Sequence, residues 1–441
     1  MVLFGSLAAA IAPASCAETL QDAVTQAVRT NPEALEAINR RLAADEGVKG
    51  ARGGYFPRLD VNAGIGRERL DDAYARSLGM SDTTFTRRQA VVTLTQMLFD
   101  GFAVRSAVAN QEARVAGSAS RVAVTAEDLA LRVASAYLEV LRRQETVIAA
   151  KESFNAHQRI YQQIKRRSES GVGRGADLVQ AQARVALAVD TLRGEESSLT
   201  EAELHYLRLV GARPQELSKP TLPKHALPAG ESGAVATARR DHPALKVAEA
   251  DVAAAEAQQS AAKARFYPTL ELELAANHDN DRLRGLADDR AIMLRVRYNL
   301  FQGGTDRARV NEAGFQVREL KETLARTRLQ VEEAAAVTFN ATVASRDRLT
   351  ALSDYVASSA LTREAYGKQF NIGQRSLLDL LNSEIEYYNA RFAYITGQYS
   401  EMASTYQLLA SMGHLLSALE VAPPLQANFA RTITTVSRPD R

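Results

Sequence analysis

The 441-residue chain repeats itself, and that repeat limits what it can fold into more than any single motif does. Asn31-Pro32 and His242-Pro243 each open a helical segment, 211 positions apart. Twenty-five residues after each proline comes another, in Tyr55-Phe56-Pro57-Arg58-Leu59 and in Phe266-Tyr267-Pro268-Thr269-Leu270. Leu98-Phe99-Asp100-Gly101 is echoed by Leu300-Phe301-Gln302-Gly303 at a separation of 202, so the first copy holds nine extra residues, expected in a loop. From there the separation of 202 is kept: Tyr137 matches Phe339, Gly171 matches Gly373, Asp177 matches Asp379 and Gly211 matches Gly413.

The expected organisation is a signal segment at residues 1–17, a first repeat at 18–211, a proline-rich connector at 212–231, a second repeat at 232–415 and a tail at 416–441. Each repeat opens with an Ala-rich helix, residues 32–54 and 243–265, stopped by the second proline. Two alternating runs follow. In the first copy Leu59, Val61, Ala63 and Ile65 alternate with Asp60, Asn62 and Gly64, and Val92, Leu94 and Leu98 are set against Thr93 and Thr95. In the second, Leu270, Leu272 and Leu274 alternate with Glu271 and Glu273, and Ile292, Leu294, Val296 and Tyr298 are set against Arg295 and Arg297. Period two predicts strands with one apolar and one polar face, each pair a hairpin.

Residues 102–170 then contain no proline. A continuous helix of that span would run about 100 Å, whereas globular helices average about a dozen residues. Such a helix belongs in a coiled coil or a helical tube. Leu129, Val133, Ala136, Val140 and Val147 keep a 4-3-4 spacing broken at Arg143, and a heptad stripe runs from Leu381, Ile385 and Tyr388 to Tyr406 and Leu409. These stripes are core positions, and no ligand is assigned to their tyrosines.

A formal charge of +2 leaves no basic footprint for nucleic acid. The first seventeen residues, MVLFGSLAAAIAPASCA, are apolar and end in Ser15-Cys16-Ala17, a small-x-small cleavage site. They lack a basic start, as expected of a signal whose beginning has been shortened. Pro13 stands where a lipobox wants Leu, so Cys16 is not read as lipidated. Cleavage after Ala17 would leave a mature chain without cysteine, as suits an exported protein. No other window approaches eighteen apolar residues, so no transmembrane helix is expected; a β-barrel span stays open.

Strands of about ten residues with one apolar face have membrane-spanning length. Four cannot close a barrel by themselves, and an open edge in lipid leaves backbone groups unsatisfied. Closure needs several chains in cyclic symmetry, and three copies give twelve strands around water-lining Glu271, Glu273, Arg295 and Arg297. A soluble sandwich packed on helices is the alternative, but it has no use for helices of this length.

Taken together, NPEAL with GARGGYFPRLDVNAG, HPAL with AKARFYPTLELELA, the two LFxG turns and GxxSLLDLLNSEIEYYNAR resemble the TolC family of outer-membrane efflux and secretion channels, over roughly residues 18–415. The resemblance implies a mainly α fold with a β-barrel membrane part: a homotrimer with a twelve-stranded barrel in outer-membrane lipid, continued by an α-helical periplasmic tunnel. It further implies an exit duct for type I protein secretion or multidrug efflux, fed by an inner-membrane ABC or RND pump through a periplasmic adaptor (membrane fusion protein). A periplasmic coiled-coil adaptor or scaffold without a pore is the alternative. Two helical hairpins alternating with two strand pairs argue against it.

No enzyme, cofactor or metal is expected. His157, His205, His225, His242, His278 and His414 show no ligand spacing. Asp279-Asn280-Asp281 lacks the glycine and closing glutamate of a calcium loop and is expected to be a hairpin tip. Gly171-Val172-Gly173-Arg174-Gly175 follows a helix, whereas a phosphate loop follows a strand.

The two breaks in the long helical runs, SESGVGRGADLV and FNIGQRSLLDLL, are expected to be chain reversals. Gly373 suits a left-handed helix end, Ser376 an N-cap, and Asp379 completes a Ser-x-x-Asp box. The resemblance implies that these tips form the closed periplasmic entrance, with Arg375 held by Asp177 and Asp379 facing the lumen. A second lumen carboxylate expected by that pattern is Asn382 in this chain, so the acidic ring is lighter. Glycines at 171, 173 and 175 should loosen the first tip. Adaptor docking is expected at Gly171, Val172, Gly173, Gly373, Gln374 and Ser376.

Overall fold

The structure, a computed structural model, describes residues 17–71, 73–77, 79, 83–281 and 285–428. The expected signal segment as far as Cys16 and the expected tail beyond residue 428 therefore lie outside the described residues. Element order follows the duplication: α1 (Leu20–Thr30), α2 (Pro32–Arg52), β1 (Arg58–Leu70), α3 (Ala73–Ser77), β2 (Thr83–Phe99), α4 (Ala103–Glu169) and α5 (Gly175–Val210). After the connector come α6 (Glu231–Asp241), α7 (Pro243–Lys263), β3 (Thr269–Asp281), β4 (Gly285–Arg297), α8 (Thr305–Asn371), α9 (Leu377–Ser411) and α10 (Leu415–Ala418).

The chain divides into two compact units. The first comprises Met1–Ile38, Arg121–Pro243 and Arg328–Ala427. Its helices are set by local signals. Thr19 and Asp22 form a capping box that starts α1, and Gly211, with φ +86°, ends α5 in the left-handed region. Pro32 and Pro243 each occupy the first position of a helix, where the missing N–H is not needed. Along the expected heptad stripe of α9, Leu381, Ile395, Tyr399, Tyr406 and Leu409 are buried, while Ile385 and Tyr388 are half-buried. On α4, Leu129, Val133, Ala136, Val140 and Val147 are buried likewise, and Arg143, where the spacing breaks, pairs with Glu139 at 2.8 Å and Glu195 at 3.2 Å. Buried Tyr137 donates to the carbonyls of Glu18 (2.8 Å) and Ser218 (2.6 Å), while Tyr206 donates to the Glu18 carboxylate (2.6 Å). These bonds fix the connector, which also makes a parallel bridge between Leu217 and Glu18.

The second unit comprises Asn39–Ser120, Ala244–Thr327 and Asn428–Arg441. Its four strands form one antiparallel sheet in the order β1-β2-β3-β4, so the two hairpins are joined by pairing of β2 with β3. The α-helices before each hairpin stop at Arg52 and Lys263, two residues short of the expected ends, and tighten into 3₁₀ turns through Tyr55 and Phe266. The residue before a proline cannot stay helical, and Phe56 and Tyr267 are extended. Twelve residues separate β1 from β2 and three separate β3 from β4, so the nine extra residues lie in the first hairpin loop. Asp279 and Asp281 are not a turn: they pair with Ala287 and Gly285 inside the ladder, and the turn proper, residues 282–284, lies outside the described residues. Gly101, with φ +67°, brings β2 into α4; a Cβ there would sit 2.5 Å from the Ala264 carbonyl oxygen, so only glycine fits.

Candidate functional site

The two helix reversals are near copies in backbone. At the first, Gly171 has φ +79° and donates to the Ser168 carbonyl at 3.1 Å, while Val172 and Gly173 donate to that of Arg167 at 3.1 and 2.9 Å. At the second, Gly373 has φ +78° and donates to the Phe370 carbonyl at 3.1 Å, and Gln374 donates to that of Gln369 at 2.9 Å. In both, a left-handed glycine turns the next N–H groups back onto the last helical carbonyls.

The starts of the following helices differ. The Ser376 hydroxyl accepts from the Asp379 N–H at 3.1 Å, and the Ser376 backbone N–H donates to the Asp379 carboxylate at 3.3 Å, which completes the expected box; the hydroxyl also donates to that carboxylate at 2.8 Å. Its counterpart Arg174 caps α5 with no side-chain hydrogen bond. Below the turns, Ile160, Ile164, Ala181, Phe370, Leu377, Leu380 and Leu381 form one buried cluster drawn from α4, α5, α8 and α9.

Charge at the tips is distributed as follows. Arg375 donates through Nε to Gln369 Oε1 at 2.9 Å, lies 4.3 Å from the Tyr366 ring centroid, and reaches Asp379 at 4.0 Å. Asp379 is thus a cap first and an ion-pair partner second. Among the described residues Asp177 has no ion-pair partner within the chain; its N–H donates to the Arg174 carbonyl at 3.1 Å. Asn382 accepts from Arg184 of α5 at 3.4 Å. Gly171, Gly373, Gln374, Arg375 and Ser376 are exposed, Gly173 is half-buried, and Val172 keeps 84% of its surface open.

Sequence reasoning missed the partners of Arg375. Gln369 and Tyr366 lie six and nine residues before it, a spacing that meets only once the left-handed glycine folds the chain back. It also missed a cleft of about 310 Å³ among α4, α8 and α9. There Arg363 stacks 4.0 Å from the Tyr387 centroid and reaches Glu384 at 3.8 Å, while Arg391 pairs with Glu152. Burial pushes the Glu384 carboxyl above its ordinary range, against the pull of Arg363.

The sheet has the two faces expected of it. Register places Leu59, Val61, Ala63 and Ile65 of β1, Leu94 and Val92 of β2, Leu270, Leu272 and Leu274 of β3, and Val296, Leu294 and Ile292 of β4 on one side. Ile65 and Ile292 expose 72% and 76% of their surface, which a water-facing sheet would not sustain. The other side carries paired charges: Arg87 bridges Glu68 (3.1 Å) and Asp279 (2.7 Å), tying three strands, and Arg295 pairs with Glu273. Asp279 is therefore a partner of Arg87 and not part of a cation loop. Among the described residues no helix is long and apolar enough to cross a membrane.

Comparison with known proteins agrees with this arrangement. The family description "Outer membrane efflux protein" matches residues 23–212 and 234–414. The outer membrane efflux protein BepC of Brucella suis is 25% identical over 382 residues, covering 84% of this chain and 80% of that protein. TolC of Vibrio cholerae is 27% identical over 393 residues, covering 85% and 86%. The crystal structure of the Campylobacter jejuni CmeC outer membrane channel superposes with a TM-score of 0.81 at 16% identity, over 94% of this chain and 88% of that one. With both repeats matched in order, the chain belongs to the outer membrane efflux protein family, as a channel protein that spans the outer membrane and extends into the periplasm.

Proposed function

We propose that three copies of this chain, each contributing the repeats at residues 18–211 and 232–415, close one twelve-stranded barrel. The channel so formed is the exit duct of a tripartite export system, fed by an inner-membrane ABC or RND pump through a periplasmic adaptor. The observation that carries the assembly is the pair of open sheet edges, β1 and β4, each 13 residues long. In lipid the unpaired N–H and C=O groups of such an edge are too costly to leave bare. Pairing β4 of one copy with β1 of the next removes both edges, and a closed ring repeats that contact. Three is the number supported by family membership. The pore-less adaptor is not retained, because the family match runs through both repeats.

In this reading the tips form the periplasmic gate. Arg375 rests on Gln369 and Asp379 of its own chain, and a latch from Arg375 to Asp177 holds the entrance closed. Three Asp379 side chains ring the pore, and Asn382, bound to Arg184, adds no charge to them. The exposed residues Gly171, Val172, Gly373, Gln374 and Ser376, with Gly173, meet the adaptor. The cargo is a secreted protein or a small toxic molecule.

The test is the oligomer and its loss. Outer-membrane extracts should yield a trimer that survives detergent, and a deletion strain should lose either a secreted protein or drug resistance. A soluble monomer in the periplasmic fraction would sink the reading.

A further inference from the structure

On the apolar side of the sheet all four strands change character at the same end. Beyond the apolar band, the next outward residue is Arg67 on β1, Arg88 on β2, His278 on β3 and Arg290 on β4. Register makes them a line: Arg88 pairs with Ile65, His278 with Ala90 and Arg290 with Ala276, while on their other sides Arg67 stands opposite Thr86, Arg88 opposite Asn280 and His278 opposite Asp288. All four are exposed. At the other end of the band the outward residue is Gln96 on β2 and, just past the end of β4, Tyr298, neither of them charged.

Their pairing differs from that of the polar side. There Arg58, Arg87 and Arg295 each hold a carboxylate. Outward Arg67, Arg88 and Arg290 have no ion-pair partner among the described residues, and His278 holds Asp288 at 2.6 Å. An arginine on the lipid side is costly at mid-bilayer and close to free near the interface. From Leu59 to Arg67 is about 26 Å along the strand, or about 20 Å of height at a tilt of about 40°, the outer part of an apolar band about 25 Å tall, from which a long arginine side chain reaches the headgroups. Three planar guanidinium forks there, facing lipid and unpaired, with the neighbouring outward carboxylate of Asp288 taken by His278, match tetrahedral phosphate.

The leaflet follows from connectivity. This end of the strands leads into the hairpin turns, whereas the other end joins the helices, which extend into the periplasm. The turns therefore face outward, and the basic line meets the outer leaflet.

We propose that Arg67, Arg88 and Arg290 form a binding belt for the phosphate groups of the phosphorylated glycolipid in the outer leaflet, with His278 completing the line. This rests on the membrane placement of the channel. The test is lipid retention by the full-length channel extracted in detergent, with bisphosphorylated lipid A as the probe and native mass spectrometry as the readout. Wild type should retain it at least about tenfold better than dephosphorylated lipid A or phosphatidylglycerol, the scale of a few charge-assisted hydrogen bonds. Arg67→Gln with Arg88→Gln and Arg290→Gln should abolish that preference, and the Lys versions of the same three should keep part of it. Undiminished retention by the triple Gln variant, or equal binding of either control lipid, overturns the belt. If the triple Gln variant fails to reach the membrane, Arg88→Gln alone should lower retention several-fold, and no change there overturns it equally. Outer-membrane fractionation of wild type in the same preparation separates failure of the belt from failure of the channel reading.

Discussion

Arg167, in the last turn of α4, lies over the ring of Phe370, in the last turn of α8, 5.0 Å from its centroid. Phe370 is 6% exposed and belongs to the cluster beneath both turns, so the two tips of one chain are packed as one body. Phe370→Ala should therefore loosen both, at a cost of about 3 kcal/mol. Hydrogen exchange should accelerate together in residues 160–181 and 370–381. Acceleration confined to the second tip would show that the two move separately.

Charge reversal at Arg375 should open the proposed gate. Arg375→Glu removes the donor to Gln369 and places like charge beside Asp379, so single-channel conductance in planar bilayers should rise. Unchanged conductance would remove the latch.

The two α-helix starts should respond oppositely to capping changes. Ser376→Ala deletes a complete box and should cost about 1 kcal/mol, whereas Arg174→Ser supplies a cap that α5 lacks and should gain a similar amount. Limited proteolysis at each turn reads the difference directly.

Glu127 makes the fold sensitive to pH. Its carboxylate accepts from the N–H groups of Leu415 at 3.0 Å and Leu416 at 3.4 Å, and burial pushes its pKa from 4.5 up to about 7. Between those values the folded chain keeps a proton that the unfolded chain has released. Stability should therefore fall as pH rises through that window, by about 3 kcal/mol in all. Glu127→Gln retains an acceptor for both N–H groups and should flatten the slope, with a higher Tm than wild type at about pH 8. An equal slope in the two proteins would assign the pH dependence elsewhere.

The outward face of the sheet should reject charge. Leu294→Arg, on β4 within the apolar band, should cost about 2–4 kcal/mol and reduce recovery of detergent-resistant oligomer, and Leu294→Phe should be tolerated. Equal recovery of both variants would place this face away from lipid.

Periodicity made most of the fold legible. Alternation along Leu59 to Ile65 and Leu270 to Leu274 gave the strand faces, and the heptads through Tyr399 and Tyr406 gave a stripe that is buried. Two features escaped because they depend on register across long separations. The pairing of β2 with β3, Gln89 opposite Asp279, merges the hairpins and hands Asp279 to Arg87. The tip residues were located by glycine and cap chemistry, which is local. What Arg375 touches was not readable, because Gln369 and Tyr366 are brought to it by a reversal that composition does not describe.

Duplication alone would give the proposed trimer six equivalent hairpins at its outer mouth. The nine additional residues between β1 and β2 break that equivalence, so long and short loops alternate and the rim has threefold symmetry only. The same sequence difference leaves the tip backbones almost untouched, at φ +79° and +78°. In that trimer the cell-facing end would be close to sixfold in main chain, suited to partners that themselves come in pairs per protomer. The surface-facing end would alternate three longer loops with three shorter ones, so anything outside the cell would meet a threefold rim first.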